Sequence, residues 1–385
     1  MSINEQKSSH LYFISAGEPS GDLHASELIK EIKRQDKGAR FVFLGGDLMA
    51  SESGTLPLIH YNKMAFMGFS EVLRNLSLIF GNLATAKNAL RQSSPDCLIL
   101  VDYPSFNLKL AKEAKRLGIK VYWYISPKVW AWKEYRVKTI RRTVDKVLCI
   151  LPFEVDFYRR HGVSVSYVGN PSLEEVDRRL KECPSIEEFR RINGLEGNKP
   201  IIALVPGSRR GEIKNNLPIM IEAAARFEGY TAVVAGAPGI AKDFYTGFTD
   251  LPVVDGQTLF LMRLSSAALV TSGTATLECA LARTPQVVCY RANGSKLSYN
   301  LMKMILKVRH VSLPNLIADK SVIPEMLVHL CTVDSVAEKL GGILPGGSER
   351  EAQLDGYRLM RDRLGEYGAA MRAAEEIKND LNNNL

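Results

Sequence analysis

An aspartate that directly follows an uninterrupted apolar run is the residue of this sequence best suited to proton transfer. The run Cys97–Val101 is typical of a buried parallel strand, and Asp102 stands at its carboxyl end. A carboxylate held against apolar neighbours tends to have a raised pKa, so it can accept a proton from an attacking hydroxyl group near neutral pH. The same pattern also suits an aspartate that caps the helix predicted to begin near Phe106. Asp102 is therefore predicted as a general base, with capping as the alternative.

The turn after the first apolar run is a second place where chemistry can occur. Its candidate residues are Gly17, Ser20, Gly21, Asp22 and His24. The two glycines allow the backbone to approach a ligand, and the helix that follows offers free N–H groups to a substrate. Asp22 and His24 supply a carboxylate and an imidazole, so each is a further candidate for the general base. The turn matches neither a P-loop nor the full dinucleotide pattern, and a helix cap by Ser20 or Asp22 is the alternative.

Two turns in the second half of the chain have the composition of a nucleotide diphosphate site. In the first, Gly207 and Ser208 can reach phosphate oxygens, and Arg209 can neutralise charge on a departing nucleotide. The second opens a helix, and its candidates are Ser272, Gly273, Thr274 and Glu278. A phosphate can bind at the helix start while the glutamate accepts the ribose hydroxyls. A solvated surface turn and a glutamate that only stabilises the helix dipole are the alternatives.

Composition narrows the class of protein. The chain has 385 residues, and its 50 Lys and Arg against 42 Asp and Glu give a net charge of +8, which favours anionic partners. No basic block or aromatic platform predicts binding to nucleic acid. No Asp-x-Asp pair or zinc-like spacing occurs, so neither a metal nor a cofactor is expected. No apolar run approaches the roughly 18 residues of a membrane span, and the six cysteines lack paired spacing, so we expect a cytoplasmic protein with free thiols.

Short apolar runs alternate with helix-patterned segments along almost the whole chain, which predicts an α/β fold with parallel sheets. The predicted strands are Leu11–Ser15, Phe41–Gly45, Cys97–Val101, Lys120–Ile125, Lys146–Ile150, Ser166–Val168, Ile201–Val205, Thr231–Ala235, Val253–Val254, Ala267–Thr271 and Gln286–Tyr290. We expect two doubly wound, Rossmann-like domains, residues 1–175 and 176–347, and a helical segment, 348–385, that packs back on the first domain. Two such domains facing each other leave a central cleft lined by the carboxyl ends of both sheets, where the turns above fall.

Seven short motifs, in order along the chain, resemble those of the lipid-A-disaccharide synthases. They are Ser15–His24, Met67–Leu73, Ser126–Trp132, Leu151–Glu154, Pro206–Arg209, Ser272–Glu278 and Ser312–Ala318. The resemblance implies a GT-B glycosyltransferase that transfers 2,3-diacylglucosamine, with inversion, from its UDP derivative to 2,3-diacylglucosamine 1-phosphate (lipid X). The products are UDP and a β-1,6-linked disaccharide on the route to the lipid A of lipopolysaccharide.

The resemblance also assigns roles to individual residues. Asp102 matches the family's candidate general base, and Arg209 and Glu278 match the UDP site of the second domain. Asn315 and Glu325 match the face that this domain presents to the cleft, where they are expected to bind substrate. The turn after the first strand would hold the acceptor or the donor sugar.

The sequence departs from the family pattern in two places. Ser105 stands where the family often has a second aspartate, so that carboxylate is not part of the expected mechanism. Met326–Val328 replaces the usual Leu-Leu-Gln, which puts a glutamine contact with the donor in doubt. Ser126, in the third motif, is kept among the substrate-binding candidates.

Diacylated substrates require an enzyme that docks on a membrane surface. The predicted membrane patch consists of Phe66, Met67, Phe69, Leu73, Leu76, Leu78 and Ile79. Leu301–Arg309, which is basic as well as apolar, is a second candidate, and a buried core helix is the alternative for either stretch. The resemblance thus predicts peripheral attachment to the cytoplasmic face of the inner membrane.

Two other kinds of function share these features. A UDP-N-acetylglucosamine 2-epimerase, or a transferase with another lipid acceptor, would keep the two domains and the UDP site but change the reaction. A non-enzymatic nucleotide- or lipid-binding module would keep the binding groups, and Asp102 would then be replaceable without loss of function.

Overall fold

The chain folds into two compact units, each built around one parallel β-sheet. The computed structural model describes residues 9–64, 75–132, 134–291 and 309–383. The first unit comprises Met1–Pro171 and Glu366–Leu385, and the second comprises Ser172–Gly365. The observed strands lie within one residue of every predicted strand at either end, and the predicted α/β class is confirmed. No helix in the described ranges is long and apolar enough to cross a membrane.

The first unit contains a seven-stranded sheet in the order β3-β2-β1-β4-β5-β6-β7, with all neighbours parallel. Its strands are β1 (Leu11–Ala16), β2 (Arg40–Gly45), β3 (Ile59–His60), β4 (Cys97–Val101), β5 (Lys120–Tyr124), β6 (Lys146–Cys149) and β7 (Val165–Tyr167). Side chains alternate between the two faces of a strand, so Phe13 of β1 enters one apolar core while Tyr12 and Ile14 enter the other. Because both faces are covered, β4 has no exposed residue, which explains its uninterrupted apolar run.

Helices of the first unit connect and cover these strands. They are α1 (Pro19–Gln35), α2 (Asp47–Ser53), α3 (Leu76–Ser93), α4 (Pro104–Arg116), α5 (Val129–Trp132), α6 (Val137–Thr143) and α7 (Pro152–Arg160), together with the short 3₁₀ turns Tyr61–Lys63 and Glu134–Arg136. The strand order reverses between β1 and β4, so the segments that follow these two strands begin side by side at one edge of the sheet.

The second unit contains a six-stranded parallel sheet in the order β10-β9-β8-β11-β12-β13. Its strands are β8 (Ile201–Val205), β9 (Thr231–Gly236), β10 (Val253–Asp255), β11 (Ala267–Thr271), β12 (Gln286–Tyr290) and β13 (Glu325–Leu327). Its helices are α8 (Pro171–Leu180), α9 (Ile186–Asn193), α10 (Arg210–Ala225), α11 (Asp243–Thr246), α12 (Thr258–Leu264), α13 (Thr274–Leu281), α14 (Leu313–Ala318), α15 (Val333–Ile343) and α16 (Arg350–Leu364), with a 3₁₀ turn at Val328–Leu330. Here the order reverses between β8 and β11.

The terminal segment divides between the two units. The segment 348–385 was predicted to pack back on the first domain, and within it α16 belongs to the second unit. Only the last helix, α17 (Ala369–Asn382), packs on the first unit, where Ala373 and Ile377 join the core beneath α1. The division between the units falls at Pro171 and Ser172, four residues before the predicted one.

Candidate active site

Asp102 is exposed at the end of β4, beside the turn that follows β1. Val101 pairs with Ala16 across these neighbouring strands, which brings the Gly17 turn next to Asp102. Although its side chain reaches solvent, dense surroundings partly desolvate the carboxyl, and this effect raises its pKa to about 6. The nearby Glu18 carboxylate raises the pKa further, whereas Lys128 and the Tyr103 backbone N–H lower it. A base with this pKa is mostly ionised at neutral pH and still basic enough to take a proton.

The backbone at Asp102 has an unusual conformation that a buried asparagine helps to fix. Asp102 and Tyr103 are both left-handed, with φ of 43° and 46°, a strained conformation for residues with side chains. The Asn107 side-chain amide donates to the Asp102 carbonyl oxygen at 2.7 Å, and its oxygen accepts from the Ser15 hydroxyl at 2.7 Å. Asn107 is fully buried and thereby ties the ends of β1 and β4 together. Sequence reasoning missed this residue, since it reads as one polar position on an amphipathic helix.

Gly17 is required by the aromatic ring that packs against it. A Cβ atom at this position would lie 2.4 Å from Cγ of Tyr103, whose hydroxyl donates to the Met64 carbonyl oxygen at 2.7 Å. Gly17→Ala is therefore expected to displace the ring, to destabilise the fold by about 1–3 kcal/mol and to lower kcat at least about tenfold. Thermal unfolding and steady-state kinetics measure both effects. Gly21→Ala is the control because its Cβ would come no closer than 3.3 Å, to Cβ of Ala16; equal effects in the two variants would contradict the argument.

Asp22 has a structural role in this fold, and its selection as a candidate base stays a prediction. It is buried, and its two oxygens accept from the backbone N–H groups of Gly46, Leu48 and Met49 at 2.7, 3.1 and 3.2 Å. These groups form the start of α2, so Asp22 caps a helix other than its own. Within the described ranges no side chain caps α1, and Ser20 is exposed in the first turn of this helix.

His24 is a weak base in this structure. It is half-buried, and desolvation lowers its pKa to about 4, so the imidazole is neutral at physiological pH. A neutral imidazole with so low a pKa accepts a proton less readily than the carboxylate of Asp102. Of Asp102 and His24, Asp102 has the pKa better matched to neutral pH.

Ser126 and Trp130 are held by a buried glutamate, so their hydrogen-bonding groups face the protein interior. The Ser126 hydroxyl and the Trp130 indole N–H donate to Oε1 of Glu154 at 3.1 and 3.0 Å. Burial raises the pKa of Glu154 to about 7, although these hydrogen bonds favour its charged form. This cluster supports the segment that carries Lys128, and Lys128 lies near enough to influence Asp102. A direct contact between Ser126 and substrate stays a prediction.

The two predicted phosphate turns lie side by side in the second unit. Val205 of β8 pairs with Val270 of β11, so the turns that leave these strands share one edge of the sheet. Glu212, in the first turn of α10, accepts from the Ser208 N–H at 3.1 Å and lies 3.6 Å from the Arg209 guanidinium. A Cβ on Gly207 would lie 2.6 Å from this carboxylate, and its φ of 113° also favours glycine. A carboxylate thus contacts the groups that were predicted to bind phosphate.

The second turn holds Ser272 and Gly273 half-buried and Thr274 exposed at the start of α13. Glu278 follows one turn later and is half-buried. Burial raises the pKa of its carboxyl above the usual range, an effect that Glu175 reinforces and Arg179 opposes. No residue in the described part of the chain donates a hydrogen bond to this carboxylate, which leaves its oxygens available to a ligand.

Asn315 and Glu325 form an internal hydrogen-bond network, and their role as substrate contacts stays a prediction. Oε1 of Glu325 accepts from the Ser312 N–H and from the Asn315 amide, both at 2.9 Å. The Asn315 oxygen accepts from the backbone N–H groups of Val322 and Ile323 at 2.7 and 2.8 Å. The pair therefore fastens α14 to the short strand β13, which the sequence pattern had not predicted.

The predicted membrane patch is only partly within the described residues. Phe66, Met67, Phe69 and Leu73 lie outside them, as does the stretch 301–308 of the second candidate. At the start of α3, Leu76 and Leu78 are 39% and 44% exposed and Ile79 is half-buried. This end of the helix is thus an exposed apolar surface rather than a core element. Across residues 9–64, 75–132, 134–291 and 309–383, no three His, Cys, Asp or Glu side chains cluster to hold a metal.

Comparison with known proteins decides the family. A family model described as lipid-A-disaccharide synthetase matches residues 12–377. The chain belongs to the lipid-A-disaccharide synthetase family. The lipid-A-disaccharide synthase of Myxococcus xanthus is 42% identical over 94% of this chain and 96% of its own, and that of Geobacter sulfurreducens is 36% identical over 96% and 97%. This member of the family is therefore a glycosyltransferase of lipid A biosynthesis.

Solved structures show the fold. A UDP-GlcNAc 2-epimerase from Neisseria meningitidis bound to UDP-GlcNAc matches 97% of this chain and 98% of its own, with a TM-score of 0.61 and 11% identity. The glycotransferase of kitacinnamycin matches 97% and 99%, with a TM-score of 0.58 and 14% identity. The GT-B class predicted from the resemblance is confirmed. Because epimerases share this fold, the family match and not the fold separates the transferase from the epimerase alternative.

Proposed function

We propose that this protein transfers 2,3-diacylglucosamine from UDP-2,3-diacylglucosamine to the 6-hydroxyl of 2,3-diacylglucosamine 1-phosphate (lipid X). The products are UDP and the β-1,6-linked lipid A disaccharide 1-phosphate, and the configuration at the anomeric carbon is inverted. The observation that carries the proposal is Asp102, an exposed carboxylate with a pKa of about 6 at the reversal point of the first sheet. In this mechanism the hydroxyl oxygen attacks the anomeric carbon, Asp102 accepts the hydroxyl proton, and UDP leaves with the bonding electrons.

The second unit would bind the UDP group. In this proposal the helix starts after β8 and β11 provide N–H groups for the diphosphate, and Arg209 neutralises the negative charge that develops on the leaving oxygen. Glu278 accepts hydrogen bonds from the ribose hydroxyls. Support comes from the adjacency of the two turns and from the oxygens of Glu278 that the described residues leave without donors. The domains are thus proposed as an acceptor- and membrane-facing unit followed by a UDP-sugar unit.

Glu212 would compete with the diphosphate for its binding groups. A bound phosphate needs the Ser208 N–H and the Arg209 guanidinium, which Glu212 contacts in this structure. Glu212→Gln is therefore expected to tighten UDP binding by about two- to fivefold, in line with the small free energy of an exposed ion pair. Titration calorimetry with UDP measures the change, and Glu222→Gln in the same helix is the control. Weaker binding by Glu212→Gln would mean that this carboxylate organises the turn for the nucleotide.

Peripheral attachment is proposed through the exposed apolar start of α3, because both proposed substrates carry acyl chains. Replacing Leu76 and Leu78 by Ser is expected to lower the membrane-bound fraction at least about tenfold, since each leucine removes apolar surface from water on insertion. Flotation with vesicles of the inner-membrane lipids measures this fraction. Leu56→Ser is the control, because Leu56 is 88% exposed elsewhere in the same unit. An unchanged bound fraction would exclude the start of α3 as the attachment site.

The reaction is tested by UDP release from UDP-2,3-diacylglucosamine, measured with and without lipid X and with EDTA present. We expect release that depends on lipid X and resists EDTA, together with a β-1,6-linked disaccharide in the product. Release without an acceptor would contradict the synthase reaction and favour chemistry of the epimerase kind. Loss of activity in EDTA that added Mg²⁺ restores would contradict a metal-independent mechanism.

A further inference from the structure

A recess on the second unit concentrates positive charge that the proposed reaction does not use. It is a cavity of about 470 Å³, formed by α8, α16 and the carboxyl ends of α12 and α13. Five of its thirteen lining residues are basic and one is acidic, a net charge of +4, whereas the whole chain carries +8. The basic residues are Lys181, Arg263, Arg283, Arg358 and Arg361. A recess with this charge attracts an anion.

Two of the five cations have no partner within the described part of the chain. Arg361 pairs with Asp177, and Arg358 pairs with Asp355 one helical turn away. Among the described residues, the exposed side chains of Lys181 and Arg283 form neither a hydrogen bond nor an ion pair. Their charges are therefore available to a ligand in the recess.

Arg283 occupies a backbone position that suits glycine. It lies just after α13 and has a φ of 59°. The Arg283 N–H donates to the Ala280 carbonyl oxygen at 3.0 Å, and the Thr284 N–H donates to the Cys279 carbonyl oxygen at 3.1 Å. Helices commonly end in such a left-handed residue, and glycine is preferred because a side chain is strained there. A long cationic side chain at a strained position that lines a cavity indicates a use beyond folding.

The recess is separate from the proposed nucleotide turns. α13 begins at Thr274 in the second turn and reaches the recess at its other end, Leu281, and a helix of eight residues is about 12 Å long. Apolar side chains, including the half-buried Leu180 and Leu354, line the recess beside the cations. The cavity thus offers both charged and apolar contacts.

We propose that this recess binds a phosphate ester. Its phosphoryl oxygens would accept hydrogen bonds from the guanidinium of Arg283 and the ammonium of Lys181, an arrangement in which arginine can bind two oxygens at once. Its organic part would lie against Leu180 and Leu354. The same chemistry is offered by a soluble phosphate ester and by the headgroup of an anionic phospholipid. The site does not depend on the proposed transfer reaction.

The test uses the intact protein and two kinds of probe. Inorganic phosphate and glycerol 3-phosphate are titrated by calorimetry, and phosphatidylcholine vesicles with and without phosphatidylglycerol are used for flotation. The variants are Arg283→Gly and Lys181→Gln, and the control Arg160→Gln removes an exposed cation from the first unit. Arg283→Gly should fold at least as well as the wild type because it relieves the left-handed strain, so its unfolding temperature should not fall.

We expect both recess variants to weaken binding at least about tenfold, the scale of one lost charge-assisted hydrogen bond, while the control and Arg283→Lys retain most of it. Weaker binding of glycerol 3-phosphate would identify a soluble ester as the ligand. If the recess variants bind vesicles equally with and without phosphatidylglycerol, and their binding of glycerol 3-phosphate is unchanged, the ligand is a lipid headgroup. If neither probe distinguishes the recess variants from Arg160→Gln, the proposal is wrong.

Discussion

Replacing Asp102 by asparagine is expected to lower kcat for disaccharide formation by about 100- to 10,000-fold, the range observed when a general base is lost. Asparagine keeps the shape of the side chain and the backbone contacts of Asp102, including the hydrogen bond from Asn107 to its carbonyl oxygen. The unfolding temperature should therefore stay close to that of the wild type. Initial rates of lipid X-dependent UDP release measure the loss, and Asp156→Asn, an exposed carboxylate of α7, is the control.

The pH dependence identifies which group accepts the proton. The base must be ionised to act, and partial desolvation together with Glu18 raises the pKa of Asp102 to about 6. The rate should therefore increase about tenfold per pH unit below pH 6 and level off above it, and this acidic limb should be absent from Asp102→Asn. If His24 were the base, its pKa of about 4 would place the limb two units lower. A limb near pH 4 in the wild type, or full activity in Asp102→Asn, would contradict the assignment.

Replacing Arg209 by glutamine is expected to lower kcat by about 100- to 1,000-fold, the scale of removing one group that stabilises charge in a transition state. The side chain is 70% exposed, and its only described ion pair is with Glu212 at 3.6 Å, so the fold should tolerate the change. Neighbouring Arg210 is the matched control. Its guanidinium carbon lies 5.0 Å from the centre of the Phe244 ring, so this arginine packs against an aromatic side chain of the protein. Arg210→Gln should change kcat only a few-fold.

The split between kcat and KM distinguishes the role of Arg209 from simple attraction of the donor. A loss confined to KM would mean that the guanidinium binds the nucleotide equally in the ground and transition states. A loss mainly in kcat supports stabilisation of the leaving group. Equal losses of kcat in Arg209→Gln and Arg210→Gln would mean that only the overall positive charge of the turn matters, and not the position of Arg209.

The long apolar strands were predictable from the sequence because a strand that is buried on both faces is a continuous run of apolar residues. β4, with five buried residues, is the clearest example. β3 and β13 were missed, since strands of two and three residues are too short to show a periodic pattern of apolar residues. The residues directly after strands were also predictable as site candidates, because the carboxyl ends of parallel strands share one edge.

The partners of individual polar side chains could not be predicted. Asp22 accepts a hydrogen bond from the N–H of Gly46, 24 residues away at the start of α2, and nothing near Asp22 in the sequence indicates which N–H groups it will meet. Glu325 and Asn315 likewise bind backbone groups that only the folded chain brings to them. The resemblance selected these positions, and the structure adds their hydrogen-bond partners within the protein. The same limit applies to α16 and α17, since an amphipathic pattern does not reveal which core a helix will cover.

The last helix sets the order in which the two units can be completed during synthesis. The second unit is one continuous stretch, Ser172–Gly365, and so it has all its residues once that stretch has left the ribosome. The first unit lacks α17 until residues 369–382 have been synthesised, although Ala373 and Ile377 belong to its core and Tyr122 donates to the carboxylate of Asp380 at 2.6 Å. Until α17 emerges, the nascent chain carries a first unit whose apolar face beneath α1 is incompletely covered. The second unit can therefore close before the first, and the first stays exposed to chaperones until α17 has emerged.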